Sequence, residues 1–424
     1  MSVENIHLLK CIECGTDFFT EGERDFYNSR GLNMPKRCKA CRTKKRIRYE
    51  QEEKERERLE RQKELEEFLP TLPFKQIEKV EIILTDPNTT LFIIGNGFDI
   101  MHGVPSSYYN FRDTIGKNNI LRFTLETYIR KDDVWGNFED GLAYLDREMM
   151  LGTIDSWLDG FGVPDEDDDD FSAADFFAAQ ETAASPVFIL TQELPKRFRR
   201  WVNTLEPHSV SKPLEGLLKV ESRFINFNYT EFLETIYGVP GKNVLYIHGD
   251  RRNKKAQLVL GHGHDTEEVL GEWYHSNKGR KEFQPRIMGR KGRFYNNDNP
   301  VYLAYFLEDD TKGNWKSQMR YDAINNTVRI IEDYYDESAK KTSDVLAKNQ
   351  LYFKSLADIK KIVVIGHSLS DVDYPYFKEI NNNNRNSTEM KWCISWHSVD
   401  DLRRITKFVS VMDISNSNVG LFRT

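Results

Sequence analysis

The 424-residue sequence predicts an α/β fold with an open parallel sheet flanked by helices, and three features of the chain favour it. Residues 91–94 (LFII) form an apolar run without alternation, typical of a strand buried on both faces, and lead into Gly95 and Gly97. Further short β-rich runs follow, and each ends in small or polar residues. Helical stretches such as 176–201 lie between them. This alternation predicts a Rossmann-like sheet.

The predicted strands share a pattern at their carboxyl ends. After 91–94 they comprise 223–229 (RFINFNY), 243–247 (NVLYI), 258–263 (LVLGHG) and 361–365 (KIVVI). The segments that close three of them are Asn228-Tyr229-Thr230, His248-Gly249 and Gly366-His367-Ser368-Leu369-Ser370-Asp371. In an open parallel sheet such ends converge on one crevice, where ligands bind. The sequence therefore predicts a ligand site at that edge. A tight strand-to-helix turn without a ligand is the alternative for the glycine segment alone.

Composition excludes several classes of protein. A hydrophobic content of 39% suffices for a sizeable core, whereas a net charge of −7 argues against a protein wrapped as a whole in nucleic acid. No apolar run approaches the roughly 18 residues of a membrane span, and the N-terminus lacks the apolar segment of a signal peptide. We expect a soluble cytoplasmic protein with no membrane partner.

Four of the five cysteines form two CxxC pairs, Cys11/Cys14 and Cys38/Cys41, with 23 residues between them. Four thiolates at this spacing predict a closed, structural zinc site, and the metal would supply folding energy to a segment too short for a large core. Chance pairing of reduced cysteines is the alternative. Cys393, in the apolar sequence KWCISW, is expected to be a buried free thiol.

The segment at and after the second cysteine pair is highly charged. Residues 36–48 contain eight Lys or Arg, which either contact phosphate backbones or solvate the start of a helix. Residues 50–68 are almost all polar and rich in Glu and Arg, as in an exposed connecting helix. The predicted organisation is therefore a zinc ribbon at 1–48, a charged helix and linker at 49–87, and an α/β domain at 88–424.

Within the α/β domain, residues 123–144 are predicted to be helical, with Trp135 and Glu139 on one face. Trp135 is expected in the core, and Glu139 is a candidate site carboxylate. The acidic run at 165–170 (DEDDDD) is predicted to be a solvated loop, because a simple run lacks the ordered ligand spacing of a calcium site.

Three groups of motifs resemble known families. Residues 11–42 are similar to small bacterial zinc-ribbon domains, which implies that Cys11, Cys14, Cys38 and Cys41 bind structural zinc. The spacing Gly95-x-Gly97-x5-Gly103-x-Pro105, Asn228 with His248-Gly249, and Gly366-His367-Ser368-Leu369 resemble the NAD-consuming sirtuins. The sequences IIGNGFDIMHGVPSSY, FNYT, IHG, LGHG and GHSLSDVDYPYF resemble the AbiH family of phage abortive-infection proteins over about 90–414.

These resemblances imply an anti-phage protein that hydrolyses NAD to nicotinamide and ADP-ribose. Asn228 and His248 would be catalytic; histidine titrates near neutral pH, which suits a general base. The cofactor-binding set would be Gly95, Asn96 and Gly97 at the pyrophosphate, Asp99 at a ribose hydroxyl or loop amides, and Gly366, Ser368 and Asp371 at the adenosine ribose. His262, His264 and His367 are further candidates, each expected to be structural.

The sequence departs from the sirtuin pattern at Asp99, which places a carboxylate beside the phosphate loop, and in the position of the zinc ribbon, which precedes the sheet. An acyl-lysine substrate is therefore not expected. Two other functions remain open: a sensor that binds NAD or ADP-ribose without cleaving it, and a zinc-ribbon defence protein that binds nucleic acid. The sequence also leaves open a phage protein or nucleic acid as trigger, and a homo-oligomeric state.

Overall fold

A computed structural model describes residues 9–18, 21–79, 82, 86–150, 173–207, 212–265, 268–269 and 315–424. The chain divides into a small unit, Met1–Leu72 with Ser398–Asp400, and a large unit, Pro73–His397 with Asp401–Thr424. The acidic run at 165–170 lies outside the described residues. Among the described helices, none combines the length and apolarity that crossing a bilayer requires.

The small unit consists of a two-stranded antiparallel pair and two helices: β1 (Leu9–Lys10), β2 (Asp17–Phe18), α1 (Glu21–Ser29) and α2 (Lys39–Phe68). Cys41 is the single buried residue of α2, so this helix has no apolar stripe. Pairs at helical spacing, such as Arg61 with Glu57 at 3.1 Å, and a high content of helix-forming residues account for its length. A 3₁₀ turn that contains Pro70 follows Phe68.

The large unit contains a seven-stranded sheet, and all the pairings are parallel. Its spatial order is β3-β9-β8-β7-β4-β5-β6. The strands are β3 (Lys75–Gln76), β4 (Thr90–Ile94), β5 (Arg223–Asn226), β6 (Val244–Tyr246), β7 (Lys361–Ile365), β8 (Lys391–Trp396) and β9 (Val419–Arg423). The predicted α/β class and parallel sheet are confirmed. β3 lies inside the segment 49–87, which the sequence assigned to a helix and linker.

The prediction of a strand at 258–263 is wrong. The backbone of this segment bonds to a loop and to a helix end, and not to a sheet strand. The Val259 N–H donates to the His248 carbonyl (2.8 Å), and the His262 N–H donates to the carbonyl of Ser338 (3.0 Å), the last residue of a helix. His262 forms only an isolated bridge to Ala339. The sheet has other strands instead, since β8 and β9 extend it beyond β7, and neither was predicted.

Helices flank the sheet and carry most of the remaining core. In the first half of the unit they are α3 (Asn96–Met101), α4 (Tyr108–Ile115), α5 (Ile120–Tyr128), α6 (Phe138–Gly141), α7 (Ala173–Phe188), α8 (Leu194–Val202) and α9 (Phe232–Tyr237). The second half contains α10 (Trp315–Ser338), α11 (Thr342–Lys348), α12 (Gln350–Lys354), α13 (Tyr374–Asn383) and α14 (Val399–Val411). Every residue of β4 is buried, as expected for a central strand covered on both faces.

The prediction of one helix over 123–144 is also wrong. α5 ends at Tyr128, and a turn held by the Asp133 carboxylate, which accepts the Gly136 N–H at 3.0 Å, precedes the short α6. Glycine and the short side chain of aspartate favour such a turn over a continuous helix. Trp135 is buried, as predicted, but it does not share a helix with Glu139.

Candidate functional site

A cavity of about 570 Å³ lies at the carboxyl ends of the strands. The chain runs from β4 through β5 to β6 on one side of the sheet and from β7 through β8 to β9 on the other. The loops after β4 and β7 therefore leave the sheet at its topological switch point, where open α/β sheets bind ligands. Segments that follow β4, β5, β6 and β7 line the cavity, together with the ends of β8 and β9. The strand ends converge on this cavity, as the sequence predicted, because the strands are parallel and their carboxyl ends lie at the same edge of the sheet.

The glycine segment after β4 is packed directly against the loop after β7. The Gly95 N–H donates to the Ile365 carbonyl (3.0 Å), and the Gly97 N–H donates to the Gly366 carbonyl (2.7 Å). A Cβ on Gly97 would stand 2.7 Å from the Gly366 Cα, closer than real Cβ atoms approach. These glycines thus allow two loops to touch, and the amides predicted to face a pyrophosphate are engaged by protein carbonyls. Asn96 also bonds within the protein, donating from Nδ2 to the Ser106 carbonyl (2.9 Å).

Replacing Gly366 with alanine is expected to destabilise the large unit more than the same change at Gly216. Both glycines have positive φ, +62° and +76°, so an alanine at either position is held in a left-handed conformation that lowers the free energy of unfolding by about 1–2 kcal/mol. At Gly366 the new Cβ would also collide with the Phe98 amide, whereas at Gly216 it meets no atom within 4 Å. Urea unfolding of both variants measures the difference. Equal losses would show that the close approach of the loops contributes nothing.

Asp99 connects the loop after β4 to the loop after β5. It is 2% exposed, and its two carboxylate oxygens accept hydrogen bonds from Asn228 Nδ2 (2.8 Å) and Thr230 Oγ1 (2.7 Å). Asn228 Nδ2 also donates to the Gly95 carbonyl (3.1 Å). Burial raises the pKa of Asp99 from its ordinary value of 3.8 to about 7, and the bonds from Thr230 and Asn228 oppose this rise. Asp99 and Asn228 therefore fix the shape of the cavity wall.

The raised pKa of Asp99 predicts a pH-dependent contribution to stability. Between about pH 4 and about pH 7 the folded chain holds a proton that the unfolded chain has released, so the free energy of unfolding falls as pH rises across this window. Asp99→Asn removes this titration. Denaturant unfolding between about pH 5 and about pH 8 should show the free-energy difference, variant minus wild type, increasing with pH. A constant difference would contradict the assignment.

A cluster of charged side chains surrounds His248, in the loop after β6. His248 is 4% exposed, and its Nε2 lies 3.4 Å from Asp373 Oδ1 and 3.5 Å from Lys340 Nζ. Lys340 Nζ also donates to Glu139 Oε2 (2.7 Å) and to Asp373 Oδ1 (3.2 Å), and its side chain is fully buried. A buried cation thus bridges two carboxylates beside an imidazole.

These contacts set the protonation states of the cluster. Burial by itself lowers the pKa of Lys340, but Asp373 and Glu139 raise it above its ordinary value, so the ammonium stays charged. Burial alone would raise the pKa of Asp373, yet Lys340 and His248 hold it well below its usual range. Lys340 and Asp373 are therefore both ionised at neutral pH.

His367 occupies the opposite side of Asp373. Its Nε2 lies 3.5 Å from Asp373 Oδ2, and its Nδ1 accepts the Leu369 N–H at 2.9 Å, which places the ring proton on Nε2. Burial lowers the pKa of His367 to about 4, so the ring is neutral. Its ring packs edge-on against Phe227, with centroids 4.2 Å apart. His367 thus supports Asp373, and it also lines the cavity. The sequence offered it as a further candidate that was expected to be structural.

The structure brings most of the predicted site residues together. The cavity lining includes eight of them: Gly95, Asn96, Gly97, Asp99, Asn228, His248, Gly366 and Ser368. Asp371 does not join this lining; its carboxylate is largely exposed and pairs with Lys407. Glu139, the candidate carboxylate, does line it and accepts a hydrogen bond from Tyr108 (3.0 Å).

Sequence reasoning missed three groups of this site. Asp373 stands two residues beyond the predicted Asp371. The sequence Asp-Val-Asp at 371–373 offered both carboxylates as candidates. Thr230 was quoted at a strand end but given no role. Lys340 lies two residues beyond the end of α10, and nothing distinguishes it in sequence from the other 59 Lys and Arg residues of the chain.

The small unit holds a second candidate site. The sulfur atoms of Cys11, Cys14, Cys38 and Cys41 all lie within 4.8 Å of one another, and those of Cys14 and Cys38 are 3.7 Å apart. Zinc–sulfur bonds of about 2.3 Å in a tetrahedron place sulfurs about 3.8 Å apart, so the four thiols fit this ion. Gly15, with a φ of +69°, lies in the turn that follows the first cysteine pair, and the second pair lies at the start of α2.

Removing the metal is expected to unfold the small unit. A chain incubated with a zinc chelator should lose one zinc per molecule and become sensitive to proteases at 9–50, because the metal supplies the folding energy that a small core lacks. Cys14→Ser should reproduce the loss, whereas Cys393→Ala, outside the cluster, should keep full zinc content. Elemental analysis with limited proteolysis measures both, and full protease resistance without zinc would contradict a structural role.

The fold and the site define a Rossmann-like α/β protein with a cavity that carries charged side chains at the switch point of its sheet. The chain belongs to the AbiH family: the family model described as "Bacteriophage abortive infection AbiH" matches residues 91–396. A model described as "Probable treble clef domain" matches residues 7–50. No curated protein and no solved structure matches significantly. The predicted family is thereby confirmed, membership supports a role in phage abortive infection, and the four clustered cysteines suggest structural zinc.

Proposed function

We propose that this protein is an abortive-infection effector that binds NAD in the cavity and hydrolyses its bond between nicotinamide and ribose. The observation that carries the proposal is the position of His248, buried against Asp373 and Lys340 in the cavity at the switch point. This edge of a Rossmann-like sheet is where nucleotides bind, and an imidazole there is a suitable general base. The motifs shared with sirtuins support NAD as the nucleotide.

The proposed reaction needs one water molecule and no other reactant. Water attacks C1′ of the nicotinamide ribose, and the bond from C1′ to the pyridinium nitrogen breaks. The bonding electrons leave with neutral nicotinamide, and the proton of the water passes to the His248 imidazole. The ribose carbon develops oxocarbenium character, as in glycoside hydrolysis, so positioning of the water supplies much of the rate.

The charges around His248 suit this step. Lys340 neutralises only one of the two carboxylates that it contacts, Glu139 and Asp373, so the cluster retains one negative charge. That charge stabilises the imidazolium that forms when His248 takes up the proton. The cluster is therefore arranged to accept a proton, and Asp373 orients the ring that receives it.

Other roles follow from the contacts inside the protein. The amide nitrogen of Asn228 is engaged by Asp99 and Gly95, so we assign its carbonyl oxygen to a ribose hydroxyl or to the attacking water. Asp99 acts by holding Asn228 and not by touching the substrate. Ser368, exposed at the cavity, is assigned to the adenosine ribose together with the backbone at Gly366.

One observation favours a second function, a sensor that binds NAD or ADP-ribose without cleaving it. Both oxygens of Asp99 and the amide nitrogen of Asn228 are occupied by protein partners, as in a rigid binding wall. The two functions differ in their products, because a sensor releases no nicotinamide.

Incubating the purified chain with NAD and separating the products tests the proposal. We expect equal amounts of nicotinamide and ADP-ribose from wild type and neither from Asn228→Ala, with NAD binding measured by calorimetry. Thr235→Ala, at an exposed threonine outside the cavity, is the control and should retain activity. Binding without products would replace the hydrolase by the sensor, and neither binding nor products, in buffer or in an extract of infected cells, would contradict both.

A further inference from the structure

We infer that the first ten residues of α2 bind the major groove of duplex DNA. Within residues 39–48 six side chains are basic: Lys39, Arg42, Lys44, Lys45, Arg46 and Arg48. No Asp or Glu occurs between Lys36 and Tyr49, and five of the six basic side chains are exposed. A dense positive charge of this kind attracts the phosphate backbone of nucleic acids. This inference concerns the small unit and does not depend on NAD hydrolysis.

The arrangement of the charges around the helix favours a groove over a flat surface. At 3.6 residues per turn, Lys39, Arg42 and Arg46 lie on one side of α2, while Lys44 and Arg48 lie on the other. A flat anionic surface such as a membrane would neutralise one side only. A helix in a groove has phosphates on both sides, so the distribution fits a nucleic-acid duplex.

Groove dimensions select DNA over RNA. An α-helix with side chains is about 10–12 Å wide, which matches the B-DNA major groove of about 12 Å. The major groove of A-form RNA is too deep and narrow for a helix to read. The Glu-rich part of α2, from Glu50 onward, would repel phosphates and so limits the contact to the basic turns.

The basic side chains are available for this contact. Arg46 and Arg48 pair with Glu50 and Glu52 at 3.5 Å, but both pairs are exposed and such pairs contribute little. Among the described residues, Lys39 and Lys44 form no ion pair. Cys38 and Cys41 of the zinc cluster fix the start of the helix, so these charges project from an ordered turn.

Fluorescence polarisation of a short labelled DNA duplex with the zinc-loaded full chain tests the inference. The affinity should fall steeply as NaCl rises, because bound phosphates release counterions. The triple variant Lys39→Gln, Lys44→Gln, Arg46→Gln should weaken binding at least tenfold and reduce the salt slope by about 3, roughly one unit for each lost contact. Circular dichroism and zinc content check that α2 and the metal site persist.

The same helix offers a matched control. Lys54→Gln, Arg56→Gln, Lys63→Gln removes the same number of charges from its Glu-rich part and should leave affinity and salt slope unchanged. An equal loss in this control would assign the effect to net charge and overturn the inference. Absence of salt-dependent binding, or an equal affinity for duplex RNA or for anionic lipid vesicles, would overturn it as well.

Discussion

His248→Ala is expected to lower the turnover of NAD by about 10²- to 10⁴-fold, the usual contribution of a general acid–base group. His248 lines the cavity, and its imidazole lies beside Asp373 and Lys340, which form a buried charged cluster with Glu139. Alanine leaves the cavity open and the two partners paired with each other at 3.2 Å, so the fold should persist. Steady-state release of nicotinamide measures the loss, and the melting temperature verifies folding.

His264→Ala provides the control for this prediction. His264 is a partly exposed histidine that does not line the cavity, although its partner at 2.6 Å, Asp140, does. This control removes the same side chain, an imidazole, and should keep its turnover within a few-fold of wild type. A folded His248→Ala protein that hydrolyses NAD at the wild-type rate would remove His248 from the mechanism.

Lys340→Met is expected to destabilise the large unit by about 3–5 kcal/mol, because it leaves Glu139 and Asp373 as uncompensated carboxylates in a buried cluster. The melting temperature should fall by an amount on the order of 10 °C. Adding Glu139→Gln should recover part of the loss, since it removes one of the two unpaired charges. Differential scanning calorimetry measures all three proteins.

Lys341→Met is the matched control for the buried lysine. Lys341 is the next residue in the chain, is exposed, and should tolerate the same change within about 0.5 kcal/mol. Equal melting temperatures for the variants at positions 340 and 341 would contradict the buried ion cluster.

The sequence predicted the central part of the sheet because hydrophobic runs report burial on both faces. β4, β7 and the two central residues of β5 are apolar, and polar or glycine residues that line the cavity come within two residues of the end of each strand. The LVLGHG segment has the same local signature, yet its backbone bonds to a loop and to the end of α10. Periodicity describes only burial, and strand pairing depends on distant parts of the chain.

Site residues could be predicted from the sequence only where they lie close to the end of a predicted strand. Asn228 and His248 each stand two residues beyond the end of a strand, β5 and β6, so their convergence could be expected. Lys340 lies just beyond α10, over ninety residues from His248 in the chain. It contacts His248 through tertiary packing that no local pattern encodes. The glycine segment was interpreted as a phosphate-binding loop from its spacing after a buried strand, whereas its geometry shows that the glycines allow contact between two loops.

The most direct test of NAD consumption is the cellular NAD content after phage infection, measured in cells that carry wild type or His248→Ala. We predict that NAD falls during infection in wild-type cells, that it stays constant in His248→Ala cells, and that only wild type protects. Unchanged NAD in wild-type cells that remain protected would contradict the proposed hydrolysis and direct attention to other targets.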